Sequence, residues 1–367
     1  MSRKYFGLLS VMLVSALLLG ACSTAAAEPA APTAAVAAPA EEVIAPEAEA
    51  LSGQLQIAGS TTVQPLAETL AEAFMEGNPD VIIEIQGGGS SVGVTSAGEG
   101  TVNIGAASRE IKSSEMETFP NLNIYTIAYD GIAIIINPEL DIPTLSLEQV
   151  RGIFSGTITN FSEVGGPDAA IVVVSREEGS GTRAAFEELV MTYKDANGES
   201  VTDPITESAI LQQSNGQVST VVSTTPNTIA YLSFGYLSDA VKGVAIDNVA
   251  PTVENVKNGS YGIFRPLNLL TNGPADGLAK AFIDYILSDA GQEFVAEDYI
   301  TVKEISASPK IMGCMKVRPI FILFCVIKTM DMLKNTFSTV SKKPFKVLFF
   351  IFLLLWRSLM LSEGNDV

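Results

Sequence analysis

The chain has 367 residues, is 47% hydrophobic, and carries 41 Asp and Glu against 22 Lys and Arg, a net charge of −19. That acidity argues against nucleic acid as a partner, and the absence of histidine removes the usual general base and the commonest metal ligand. No cysteine falls between residues 53 and 306, so the body folds without disulfides in any redox compartment.

Residues 1–21 read as a targeting segment. Arg3 and Lys4 form a basic start, residues 6–19 are apolar, and Leu19-Gly20-Ala21-Cys22 matches a bacterial lipobox, in which Cys22 is lipidated and becomes the new N-terminus. An uncleaved signal anchor is the competing reading. Residues 22–52 are rich in Ala, Pro and Glu with almost nothing to bury, a tether whose reach approaches ~90 Å at about 3 Å per residue.

From residue 53 strand-like and helical stretches alternate: 54–58, 63–75, 81–86, 92–99 and 103–107. That order predicts a parallel sheet flanked by helices. Two apolar runs, 122–128 and 131–137, are split by Asp130-Gly131, and the chain is expected to cross there into a second lobe. Ser146 is placed to cap a helix over 147–154 that ends at Gly156. Residues 171–174 and 182–191 form a further strand and helix, 228–234 a strand near which the chain returns, and 275–287 and 291–296 closing helices. The predicted fold is α/β with two lobes, residues 53–130 plus 237–307 and residues 131–236, and a ligand cleft between them. Ligands of such sheets sit outside the carboxyl ends of the strands.

Three turns in this frame share a chemistry. Gly59-Ser60-Thr61-Thr62, Gly87-Gly88-Gly89-Ser90-Ser91 and Ser175–Arg183 each follow a strand and open a helix. The first amides of a helix lack intrahelical acceptors and sit at the positive end of its dipole, and small residues let an anion approach them. Ser180 and Thr182 add hydroxyl donors, and Arg176 adds a fork suited to a tetrahedral oxyanion. Glu178 repels any ligand that carries no proton, which points to a hydrogen-bearing oxyanion such as phosphate. Plain helix caps are the bland alternative for each turn taken alone.

Catalysis and nucleotide binding are disfavoured. Gly89-Ser90-Ser91-Val92-Gly93 fits a nucleophile elbow, but without histidine the usual triad cannot be built, and no Walker-type P-loop is present. The reading is of a non-enzymatic binder with no metal and no cofactor. Beyond Pro309 the composition turns basic and apolar. The segment 308–367 reads either as a read-through or fusion artefact or as a membrane-facing tail, its apolar runs being shorter than the ~20 residues a spanning helix needs.

The motifs in order resemble one family. Ala58–Leu66, Gly87–Ser91, Gly105-Ala106-Ala107-Ser108-Arg109, the run from Ile153 to Phe161 (with Phe161 where Trp is common) and Ser175–Arg183 are similar to the phosphate-binding lipoproteins of the bacterial phosphate ABC transporter. The resemblance covers residues 53–300 and implies a type II periplasmic-binding-protein fold. It implies a phosphate site formed by Ser60, Thr61, Thr62, Ser90, Ser108, Arg109, Arg176, Glu178, Ser180, Gly181 and Thr182. Glu178 would orient Arg176 and is a candidate acceptor for the ligand's proton. Some relatives carry aspartate where this chain has Arg109, which leaves Ser108 and Glu178 as acceptors and opens the choice between phosphate and sulfate; Arg109 itself reads equally as a ligand contact or as a surface or inter-lobe salt bridge. The implied partners are inorganic phosphate, permease subunits and the membrane through lipidated Cys22, for a monomer held outside the cytoplasm. Capture of sulfate or molybdate, a surface-anchored sensor or adhesin, and a hydrolase built on Ser90 or Ser91 are the other readings.

Overall fold

A computed structural model describes residues 50–306. The targeting segment, Cys22, nearly all of the tether and the 308–367 tail lie outside the described residues.

The principal strands are β1 (Gly53–Gly59), β2 (Val81–Gly87), β3 (Ile104–Ala107), β4 (Leu122–Ile136), β5 (Val172–Arg176), β6 (Ile210–Gln212), β7 (Thr228–Ser233) and β8 (Phe264–Asn272). They lie in the order β2-β1-β3-β8-β4-β7-β5-β6, with a short strand at Lys242–Gly243 completing a nine-stranded sheet against β4. β1 runs parallel to β2 and β3, whereas β8 runs antiparallel to both β3 and β4, so the sheet is mixed rather than purely parallel.

Helix α1 (Val63–Gly77) forms because Val63, Leu66, Ala67, Leu70, Ala71 and Phe74 recur at helical spacing and are all buried on one face. Helix α2 (Ser90–Glu99) begins two residues before its expected start at Val92, directly after the glycine turn. Helix α3 (Leu147–Ser155) is capped as its sequence demands: Ser146 Oγ accepts from the Gln149 amide, the Gln149 side chain accepts from the Ser146 amide, and the helix ends at Gly156 with φ 80°. The stretch expected as one helix over 182–191 is split into α4 (Gly181–Phe186) and a π-helical turn, Glu187–Met191.

Two large buried cores sit along the sheet, beside a smaller cluster of Val94, Ala97, Ala107, Leu122 and Leu270. Leu55, Ile57, Leu70, Ile104, Ile127, Leu267 and Phe282 belong to the first, and Ile134, Phe154, Phe161, Phe186, Val218 and Tyr231 to the second. β4 carries the chain from one to the other, with Ile127 and Ala128 in the first core and Ile132–Ile136 in the second. The return crossing falls later than expected. Val241, Val244, Ile246, Val256, Tyr261, Ile263 and Phe264 all pack into the second core, so the chain comes back within β8, at Phe264–Arg265, and not near residue 236. Ile300 and Ile305 also join the second core, although the first lobe was expected to extend to residue 307. The two crossing strands run side by side, with Asp130 opposite Arg265 in register.

Among the described residues no helix is long and apolar enough to cross a membrane, and no group of three or more His, Cys, Asp or Glu is placed to hold a metal ion.

Candidate anion-binding site

The three turns meet between the two cores. In the first, Ser60 Oγ accepts from the amides of Thr62 and Val63 and donates to Ser108 Oγ at 2.9 Å. Ser60, expected as a ligand contact, thus holds the amides of Thr62 and Val63 where α1 opens and braces Ser108. Thr61 and Thr62 lie next to it, both buried. In the second turn Gly89 takes φ 90°, and a Cβ there would stand 2.9 Å from the carbonyl oxygen of Gly179, so only glycine lets the second and third turns approach this closely. Ser90, fully buried, accepts from the Ser108 amide at 3.0 Å. In the third turn Ser180 Oγ caps α4 by accepting from the Arg183 amide. Thr182 Oγ1 lies 3.0 Å from Thr62 Oγ1, and with the Ser60–Ser108–Ser90 contacts this makes an open ring of hydroxyls, with Gly181 standing between its two parts.

Arg176 stands at the centre of this arrangement and is 1% exposed. Its Nε and Nη2 donate to the two carboxylate oxygens of Glu177, both at 2.9 Å, and Nη2 reaches across to Thr61 Oγ1 at 3.4 Å. The expected partner, Glu178, is exposed at the corner of the turn and takes no part. The planar fork of a guanidinium needs a carboxylate beside it in its own plane; the residue directly after Arg176 reaches that position, while Glu178 sits at the outer corner.

Arg109 is also buried, at 3% exposure, but it does not join the ring. Both of its terminal nitrogens donate to the Glu115 carboxylate, at 2.6 and 2.8 Å, with a longer contact to Ser91 Oγ at 3.4 Å. Of the two readings for Arg109 the structure shows an ion pair, with Arg109 buried and Glu115 partly exposed, and it is confined to one side of the cleft. Burial acts to raise the Glu115 carboxyl, but hydrogen bonds and charge from Arg109, with Lys112, overcome it and hold the group below its ordinary value.

Four further residues of the site carry no local motif. Asn215, fully buried at the start of a helix over Asn215–Thr224, donates through Nδ2 to Thr62 Oγ1 at 2.9 Å and to Thr61 Oγ1 at 3.3 Å. Tyr236 donates to the Thr61 carbonyl at 2.7 Å. Arg265 in β8, 2% exposed, donates to Thr62 Oγ1 at 3.2 Å and is held by Asp130, which is fully buried. Burial pushes the Asp130 carboxyl up, opposed by the Arg265 charge and by hydrogen bonds from Arg265, Ser233 and the Phe234 amide. Burial likewise pulls the Arg265 guanidinium down, Asp130 opposing it and the positive charge of Arg176 adding to the shift. An arginine keeps its proton in such surroundings, so Arg265 stays a cation within reach of the Arg176 charge.

Among the described residues three buried side-chain nitrogens have no hydrogen-bond partner: Arg151 Nε, Arg176 Nη1 and Arg265 Nη1. The first belongs to a guanidinium stacked over the Tyr193 ring, 4.4 Å from its centroid. The other two belong to the arginines that donate to Thr61 and Thr62. Leaving a charged donor buried and unpaired is costly, and an oxyanion acceptor would remove that cost.

A family model described as a PBP superfamily domain matches residues 45–290. The phosphate-binding protein PstS of Bacillus subtilis is 36% identical over 268 residues, covering 72% of this chain and 86% of that protein. The chain belongs to the PstS family of phosphate-binding proteins. PstS of Borreliella burgdorferi is 30% identical over 253 residues, covering 66% of this chain and 88% of that protein. Among solved structures, a phosphate ABC transporter substrate-binding protein from Clostridium perfringens, crystallised with bound phosphate, superposes with a TM-score of 0.63 at 42% identity, covering 68% of this chain and 100% of that one. An ABC-type phosphate transport receptor from Vibrio cholerae gives a TM-score of 0.55 at 32% identity, covering 67% and 99%. The mixed α/β architecture of this PstS-family chain is thus the one found in proteins of that class.

Two of the unforeseen residues had a signal in the sequence. Arg265 interrupts the apolar run of β8, and Asp130 interrupts that of β4. A lone charge inside each of two buried strands predicts that the two strands pair. Asn215 and Tyr236 carry no such mark.

Proposed function

We propose that the chain captures inorganic phosphate outside the cytoplasmic membrane and delivers it to an ABC permease, as a monomer tethered by a lipid on Cys22. The observation that carries this reading is the gathering of buried hydroxyls from separate segments, Thr61, Thr62, Ser90, Ser108 and Thr182, with Thr61 and Thr62 bound to two arginines that each keep one nitrogen unpartnered. A desolvated oxyanion needs a donor for every oxygen. Each hydrogen bond to a charged group contributes about 1.5–3 kcal/mol, and a micromolar site needs about 8 kcal/mol net, so a handful of these donors is enough.

Glu177 takes the selective role first given to Glu178. It is half-buried, bound to Arg176, and its Oε1 would stand 3.3 Å from a Cβ placed on Gly89, so it faces the second turn. A protonated oxyanion can donate to this carboxylate, whereas a fully ionised sulfate is repelled by it. Calorimetric titration of the purified protein at neutral pH is expected to show phosphate binding at micromolar Kd or tighter, with sulfate weaker by roughly tenfold or more. Equal or tighter sulfate binding would remove phosphate as the ligand.

The tether is tested separately. Intact mass of the chain recovered from native membranes is expected to show loss of residues 1–21 and an acyl-bearing Cys22. A mass that retains Met1 through Ala21 would refute lipidation.

A further inference from the structure

We propose that Arg265, held by Asp130, is a second guanidinium of the phosphate site: it donates to the anion through Nη1 and, together with Asn215, holds Thr62 as a donor. This rests on the phosphate reading of the site and adds a residue from outside the three turns.

The geometry assigns each atom of the side chain. Nε and Nη2 of Arg265 donate to Asp130 Oδ2 at 3.3 and 3.0 Å, and Nη2 also donates to Thr62 Oγ1 at 3.2 Å. Nη1 is buried and has no partner. A threonine hydroxyl has two acceptor positions and one proton. In Thr62 the acceptor positions are filled by Arg265 Nη2 and Asn215 Nδ2, and the remaining neighbour is Thr182 Oγ1 at 3.0 Å. The orientation of the Asn215 amide follows from its other contact, since its Oδ1 accepts from the Ser233 amide at 3.3 Å. The Thr62 proton therefore points into the ring of hydroxyls, toward Thr182 or toward an anion that enters beside it.

Electrostatics favours the same assignment. Arg176 is paired with Glu177 and Arg265 with Asp130, so the two guanidiniums enter the site already balanced, yet Arg265 feels the positive charge of Arg176. An anion placed between the two free nitrogens relieves that repulsion and completes both hydrogen-bond sets. The backbone supports it as well: Asp130 and Arg265 are cross-strand neighbours where both strands pass between the cores, so the guanidinium is fixed before ligand arrives.

The competing role is a buried ion pair that only locks the crossing strands. Removing both charges avoids stranding either one, and asparagine at position 130 keeps an acceptor for the Phe234 amide. Calorimetry with inorganic phosphate on the D130N/R265M protein is expected to give a Kd roughly ten- to a hundredfold weaker than that of the unaltered chain. Unaltered phosphate affinity with only a lower unfolding temperature would make the pair structural and overturn the proposal. Should that variant fail to fold, R265K decides in its place, because it keeps the charge beside Asp130 but lacks the second terminal nitrogen: comparable weakening supports the proposal and an unchanged Kd overturns it. Failure of the unaltered chain to bind phosphate would sink the phosphate reading itself. Binding that is lost in R176A but kept in D130N/R265M sinks only the role given to Arg265.

Discussion

Arg176→Ala is expected to weaken phosphate binding on the order of a thousandfold while the protein still unfolds cooperatively. Two losses combine. The free Nη1 donor disappears, and with it the link from Nη2 to Thr61 Oγ1 that joins the third turn to the first. Glu177 is then left as a half-buried carboxylate with no guanidinium beside it, at the edge of a site meant for an anion. That second loss is separable: the R176A/E177A protein should recover part of the affinity, because it removes the stray negative charge. The fold survives because Arg176 ends β5 at the cleft, while the apolar packing of that strand comes from Val173 and Val174. Phosphate titration with a parallel thermal melt checks both statements. A Kd unchanged in R176A would exclude Arg176 from the site, and a restored Kd in R176K would show that charge alone suffices without the fork.

The turns themselves were legible because each is written in consecutive residues. A strand, a run of Gly, Ser and Thr, and a helix form a local grammar, and the glycines stand where neighbouring backbone must approach. The structure brings Thr61, Thr62, Ser90, Ser108, Gly181 and Thr182 together, sets Ser60 Oγ against the amides of Thr62 and Val63, and puts Arg109 in a pair with Glu115. What local grammar does not carry is which of two adjacent glutamates turns inward, since Glu177 and Glu178 differ only in their side of a turn. Nor does it carry pairings between distant strands, and Arg265 meets Asp130 across 135 positions. The misplaced return crossing has a similar cause. Residues 237–263 contain two-residue strands and a five-residue helix, Val253–Lys257, too short to show a period, so no pattern marks Val241, Val244, Ile246 and Val256 as members of the second core.

Gly181→Ala is expected to abolish high-affinity binding without unfolding either core. An ideal Cβ at this position would lie 2.1 Å from Ser90 Oγ and 2.6 Å from Ser108 Oγ. Both serines are buried, and Ser90 Oγ is held by the Ser108 amide, so neither hydroxyl can swing aside without losing a hydrogen bond. The methyl group would therefore push the third turn off the other two. Gly181 is not among the glycines with positive φ, so alanine costs it no backbone strain; the effect is contact alone. Separation of the turns stretches the Thr62–Thr182 contact and the Ser91 amide bond to Gly179, both of which cross the cleft. Each core keeps its own apolar packing, so the melting temperature without ligand should stay near that of the parent chain. The readout is the shift on adding phosphate, because a ligand at a hundred times its Kd stabilises a protein by about 2.7 kcal/mol. The parent chain should show that rise and G181A should show none at the same phosphate concentration. An equal rise in both would mean that the three turns need not touch for the anion to be held, and their close approach would lose its role as the binding state.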